Sequence, residues 1–107
     1  MDKTQIAKDI RGAIKSGQLD TVRDLLEKEP EMLTVMTPFG TWLHITAAYG
    51  HLEIIEYLIN AGIDTNAKGG TFSTNALERA ATKGHLEIAE YLINQNVEID
   101  TSEPDRN

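Results

Sequence analysis

The chain has 107 residues, 40% hydrophobic and 25% charged, a balance that excludes a disordered tail and fits a soluble domain or a short array. It holds no cysteine, which excludes disulfides, thiolate metal sites and cysteine nucleophiles, and no apolar run approaches the roughly 20 residues of a membrane span. The formal charge of −7 argues against general polyanion binding, which draws on clustered Lys and Arg to release counterions.

Met1-Asp2-Lys3-Thr4 carries acid early and no apolar stretch behind it, so a secretory signal is not expected and a cytosolic setting fits best. Residues 1–38 hold six basic and seven acidic side chains, whereas residues 39–107 hold four and ten. The acidity belongs to the later part.

In chain order, the first predicted helix starts near Thr4 and stops at Gly17. Ala13 and Ile14 sit at its close-contact positions, and Lys3, Lys8, Asp9, Arg11 and Lys15 give it a solvated side, as a terminal unit requires. A second helix spans Leu19 to Lys28, before Pro30. Thr41 is then an N-cap for a helix of about two turns, Trp42 to Tyr49, stopped by Gly50 in a left-handed conformation. The next helix, Leu52 to Ala61, is apolar around more than one stripe, with only Glu53, Glu56 and Asn60 marking a wet side. Gly62 ends it, and Ile63 to Gly70 is turn-rich, like a hairpin between units. Asn75 caps a third short helix, Ala76 to Lys83, which stops at Gly84. Leu86 to Gln95 follows, and Asn96 stands where Gly62 stood.

The stretch Gly50-His51-Leu52-Glu53-Ile54-Ile55-Glu56-Tyr57-Leu58-Ile59-Asn60 returns at Gly84 to Asn94, changed only where Ala89 replaces Ile55. Gly17-Gln18-Leu19-Asp20 precedes Gly50 by nearly the same interval, so the period is close to 33 residues. The segment from Thr41 to Ala67 resembles the ankyrin repeat, whose signature begins Thr-Pro-Leu-His-x-Ala-Ala. Trp42 stands in place of the Pro, Asn75-Ala76-Leu77-Glu78 in place of Thr-Pro-Leu-His, Phe39 where a turn Gly is common, and Gly69 to Thr74 holds one extra residue. The resemblance covers nearly the whole chain and implies an all-α helix-turn-helix solenoid with short β-hairpin connections. Residues 1–107 then form one domain of three units, approximately 4–37, 38–71 and 72–105.

Catalysis is not expected. His51 and His85 are repeat equivalents on the order of 10 Å apart, too far to share a metal held at roughly 2 Å from each ligand, and hydrogen bonds to nearby backbone account for them better. His44 matches the signature histidine, which the resemblance implies orders the hairpin and cap. The pairs Glu53/Glu56 and Glu87/Glu90 recur once per unit, as solvated carboxylates do and a catalytic dyad has no reason to. Gly69-Gly70-Thr71 lacks the spacing and Lys-Ser/Thr of a phosphate loop, and no Ser/His/Asp set stands out. No cofactor and no metal are expected.

The resemblance implies that a protein partner is bound by hairpin tips and the exposed side of the first helices. On this chain that face maps to Phe39, Trp42, Tyr49, Phe72, Thr74, Arg79, Thr82 and Lys83, with Ile45, Ala48 and Gly70 between them. Both Phe, the only Trp and one of three Tyr fall there, the residue types favoured as anchors. Trp42 and Phe39 have an alternative role, packing between hairpins. First helices carry Lys8, Arg11, Lys15, Arg79 and Lys83, and second helices carry most of the acid. The inner face is thus mildly basic, able to receive a negatively charged protein segment. No nucleic-acid or membrane partner is expected.

Leu86, Ile88, Ala89, Leu92 and Ile93 repeat residues that the middle unit buries between two neighbours, and here one neighbour is missing. Continuation into a longer array is favoured, with self-association through this C-terminal face or a folded-back tail as alternatives. The function expected is a non-catalytic interaction module, an adaptor or inhibitor. Its alternatives are a structural segment of a longer scaffold and a small acidic immunity-type protein.

Overall fold

The carboxylate of Asp2 accepts the Thr4 amide at 3.1 Å and starts α1 (Lys3–Lys15), one turn's fraction earlier than the sequence placed it. Ile6, Ile10, Ala13 and Ile14 recur at helical spacing and are buried along one side of it. In this computed structural model, which describes residues 2–70 and 73–95, five more α-helices follow: α2 (Leu19–Lys28), α3 (Trp42–Tyr49), α4 (Leu52–Asn60), α5 (Ala76–Thr82) and α6 (Leu86–Asn94). Asn96, offered above as a left-handed cap, lies outside the described residues.

The helices form two rows. α1, α3 and α5 lie side by side in one, α2, α4 and α6 in the other, and each second helix packs back on its own first helix. The fold is thus the helix-turn-helix solenoid that the repeat period required. Among the described residues its hairpins contain no strand: they shrink to single antiparallel bridges, Thr37 to Gly40 and Gly69 to Thr74. At the first bridge the two residues exchange both backbone hydrogen bonds, at 3.0 and 2.9 Å. Thr37 Oγ1 also accepts the Phe39 amide at 3.0 Å, so Phe39 takes the turn tip without the left-handed backbone a glycine would allow. Residues Pro30–Thr34 form a 3-10 turn that the periodicity did not announce.

α3 and α5 begin with reciprocal caps built from different side chains. Thr41 accepts the His44 amide while His44 Nδ1 accepts the Thr41 amide at 3.0 Å. Asn75 and Glu78 make the same exchange at 2.9 Å in both directions. The sequence difference between the units therefore leaves capping intact, and the histidine also reaches the next hairpin. Its Nε2–H donates to the Thr74 carbonyl of the next hairpin at 2.6 Å.

Burial holds the His44 pKa below its ordinary 6.5. The bond to Thr74 opposes this shift and the nearby Arg79 charge reinforces it. A base with a depressed folded-state pKa leaves the folded chain with fewer bound protons than the unfolded one, so its stabilisation is full above 6.5 and declines as pH falls towards the folded value. Urea midpoints are expected to drop between pH 6.5 and about pH 5, before carboxylates dominate, and the slope should flatten in His44→Gln. An equal slope in both proteins would remove His44 as the cause.

Two further histidines tie units together. His51 Nε2 lies 3.2 Å from the Lys15 carbonyl and His85 Nε2 lies 3.0 Å from the Ala48 carbonyl, each across one repeat. Both rings sit over the stop glycine of the preceding unit, Gly17 or Gly50. Backbone contact was expected for these histidines, and the carbonyl belongs to the neighbouring unit rather than to their own.

Candidate functional site

The exposed side of the first-helix row carries a groove of about 360 Å³. Its floor is Ile45 and Ala48 of α3, and its walls are Arg11 and Lys15 of α1, Arg79 of α5 with the adjoining Lys83, the turn residue Phe39, and Tyr49. Arg11 and Lys15 are four residues apart, as are Arg79 and Lys83, so each pair leaves its helix on one face. Among the described residues no carboxylate lines the groove, although the chain carries seven more acidic than basic groups.

The cations of α1 rest on aromatic rings of the middle unit. The Arg11 guanidinium lies 5.1 Å from the Phe39 ring centroid and the Lys15 ammonium 5.8 Å from that of Tyr49. Such contacts are worth about 0.5–1 kcal/mol where solvent reaches them, and they hold the charges in place before anything binds. Among the described residues the ion pairs are Lys3 with Glu31, Arg23 with Asp20 and Lys28 with Asp24, and none uses a groove cation. The Arg79 guanidinium packs against Gly70, where a side chain would collide with it. Gly70 is held at φ 80°, a backbone that suits glycine.

Of the predicted face, the structure brings Phe39, Tyr49, Arg79 and Lys83 to the groove. Phe39 and Tyr49 are 52% and 46% exposed, large apolar areas to leave wet. Thr82 is exposed but stands beside the groove, and Thr74 contributes its carbonyl to His44. Phe72 lies outside the described residues.

Trp42 is a correction. Its ring is fully buried and its Nε1–H donates to the Met32 carbonyl at 2.7 Å, so it belongs to the core rather than to the exposed contact face. An indole buried with its N–H satisfied anchors a fold. The hydrogen-bond partner of Trp42 lies in the 3-10 turn rather than in a hairpin, and Phe39 is half exposed.

Arg11 and Lys15 were named for their charge but not among the contact residues, and their spacing on α1 was the available signal. An apolar shelf of about 420 Å³ beside the groove was not foreseen at all. Val35, Met36 and Ala7 line it, and it shares Arg11 and Phe39 with the groove. It forms where the 3-10 turn, packed on α2, brings Met32 and Val35 to the same cavity as Ala7 of α1, which no periodicity shows.

The apolar face of the third unit is smaller than expected. Ile88, Ala89 and Leu92 are buried, while Leu86 and Ile93 are 72% and 47% exposed. Among the described residues nothing lies within 4 Å of a side chain placed at Gly84, where Gly17 and Gly50 each meet an imidazole.

Among the described residues no three His, Asp or Glu side chains converge as metal ligands would, and no helix is long and apolar enough to cross a membrane. A family model of ankyrin repeats, in three copies, matches residues 10–103. Palmitoyltransferase AKR1 of Naumovozyma castellii is similar as well, at 39% identity over 59 residues. That stretch is 54% of this chain and 8% of the relative, so the chain spans less than a tenth of the relative's length.

Proposed function

Because this chain belongs to the ankyrin repeat family, whose repeats generally serve as protein-interaction modules, we propose that it is a non-catalytic binding module that engages a protein partner through the first-helix groove. In this proposal residues 1–107 act as one domain with unit borders near 4–37, 38–71 and 72–105, in the cytosol, as an adaptor or an inhibitor that occupies a partner's surface. The observation that carries it is where the copies disagree. Residues shared by the units are taken up by helix stops, core and the solvated side of the second helices, whereas Arg11, Lys15, Phe39, Tyr49, Arg79 and Lys83 are not repeated and gather on one groove.

Peptides selected from a displayed random library against the immobilised protein should seat there. Phe39→Ala and Tyr49→Ala are each expected to weaken the selected peptides by about 1 kcal/mol or more, the effect of removing an aromatic anchor. Both rings are about half exposed, so far-UV circular dichroism should stay that of the wild type. Selected peptides that bind both variants as well as wild type would remove the groove from the proposal.

A structural role within a longer array is the second reading. The exposure of Leu86 and Ile93 together with the open space at Gly84 favours it, and is equally met by self-association through that face. Light scattering separates these two, since only self-association raises the mass in solution.

A further inference from the structure

We infer that the groove recognises an extended acidic segment of a partner protein, with two carboxylate-bearing positions flanking one apolar side chain. This deepens the interaction-module reading and rests on it.

The arrangement of charge sets the chemistry of the occupant. Arg11 and Lys15 stand on one wall, Arg79 and Lys83 on the other, with no carboxylate of the described residues between them. The two cations on each wall are neighbours and repel each other, and within the described residues no acidic side chain pairs with them. An anionic ligand relieves that repulsion on both walls at once. The floor between them is apolar, made by Ile45 and Ala48, so the part of the ligand that crosses it is uncharged.

Geometry sets the spacing. The two walls are first helices separated by α3, and neighbouring helices pack at roughly 8–10 Å, which puts the walls about two such intervals apart. An extended chain advances about 3.3 Å per residue. Acidic positions roughly four to six residues apart, with the apolar side chain midway, then meet both walls after allowing for the reach of Arg and Lys. Phe39 and Tyr49 add apolar surface beside the path, and Arg11 and Lys15 are already seated on those rings, so less side-chain freedom is lost on binding.

The same features favour a short peptide over a nucleic acid. A nucleic-acid strand brings a phosphate about every 3.4 Å beyond the four cations it can use. Those further phosphates would meet a chain whose outer row carries Asp20, Asp24, Glu27, Glu53, Glu56, Glu87 and Glu90 and whose total charge is −7. A segment with two localised acidic positions avoids that field.

The test uses the full chain and a fluorescein-labelled synthetic peptide in which two Asp-Glu pairs flank a central leucine at that spacing. Anisotropy should show binding that weakens steeply with added salt. Lys15→Glu/Lys83→Glu, both exposed positions that leave the core untouched, should weaken it about tenfold or more, with Arg11→Glu/Arg79→Glu as an independent second pair. A peptide with Lys in place of the acids should not bind, and joining the two acidic pairs into one block should weaken binding. Affinity indifferent to both charge reversals overturns the inference, as does tighter binding of a single-stranded oligonucleotide in the same buffer. Failure of the acidic inference alone has its own signature: display-selected neutral peptides that lose binding in Phe39→Ala/Tyr49→Ala but not in the charge reversals. Peptides indifferent to every one of these variants would overturn the groove reading with it.

Discussion

Trp42→Ala is expected to lower the free energy of unfolding by about 3–5 kcal/mol, a large share of the roughly 5–15 kcal/mol that holds a domain folded. The ring is fully buried, at the start of α3 and against the 3-10 turn, so its removal leaves a cavity between the first and second units. The Met32 carbonyl also loses the indole donor that reaches it at 2.7 Å, but keeps the Val35 amide at 3.2 Å, so this part of the loss is that of one hydrogen bond, about 0.5–1.5 kcal/mol. Trp42→Phe separates the two contributions, because it restores most of the volume without the donor. Urea unfolding followed by far-UV circular dichroism is the measurement, since Trp42 is the only tryptophan and its fluorescence goes with it. Stability unchanged to within about 0.5 kcal/mol would mean that the ring lies on the surface.

The second large effect compares two glycines that occupy equivalent places. Gly50 and Gly84 have φ of 82° and 78°, so alanine at either adopts a left-handed backbone at a cost of about 1–2 kcal/mol. At Gly50 the added carbon would stand 2.7 Å from Cε1 of His85, whereas at Gly84 nothing lies within 4 Å. To make room the imidazole must withdraw from the Ala48 carbonyl, 3.0 Å away. Gly50→Ala should therefore cost roughly 1–3 kcal/mol more than Gly84→Ala, the sum of contact strain and a lost hydrogen bond. His85→Ala in the Gly50→Ala background relieves the clash, so the double variant should be less destabilised than the two single effects added. Equal costs at the two glycines would show that the imidazole does not pack on the earlier unit.

The helices were legible because each is bounded by residues with a mechanical reason to be there. Thr41 and Asn75 cap, and Gly17, Gly50 and Gly84 stop, all within a residue or two of the sequence-based borders. Trp42 was misplaced because it stands at the first position of a short helix, where periodicity assigns no inner or outer side. Its direction is settled by Met32, ten residues earlier, in a segment whose 3-10 fold has no repeating pattern. The groove was half legible. Tyr49, Arg79 and Lys83 followed from the first-helix register, but the seating of Arg11 over Phe39 joins a helix to a turn tip 28 residues on, a contact that depends on how two units stack. Local rules describe one unit well and say little about what meets across the joint between two.

Helix ends leave their last carbonyls without partners inside the helix. For α1 and α3 one of these carbonyls, that of Lys15 or Ala48, is met by an imidazole 36 or 37 residues later in the chain. Each of these two helices is thus finished by the unit made after it. During synthesis at about 5–20 residues per second, a newly emerged first helix waits roughly two to seven seconds for the side chain that closes its end. The complete cap of a first helix therefore trails its production by about one repeat.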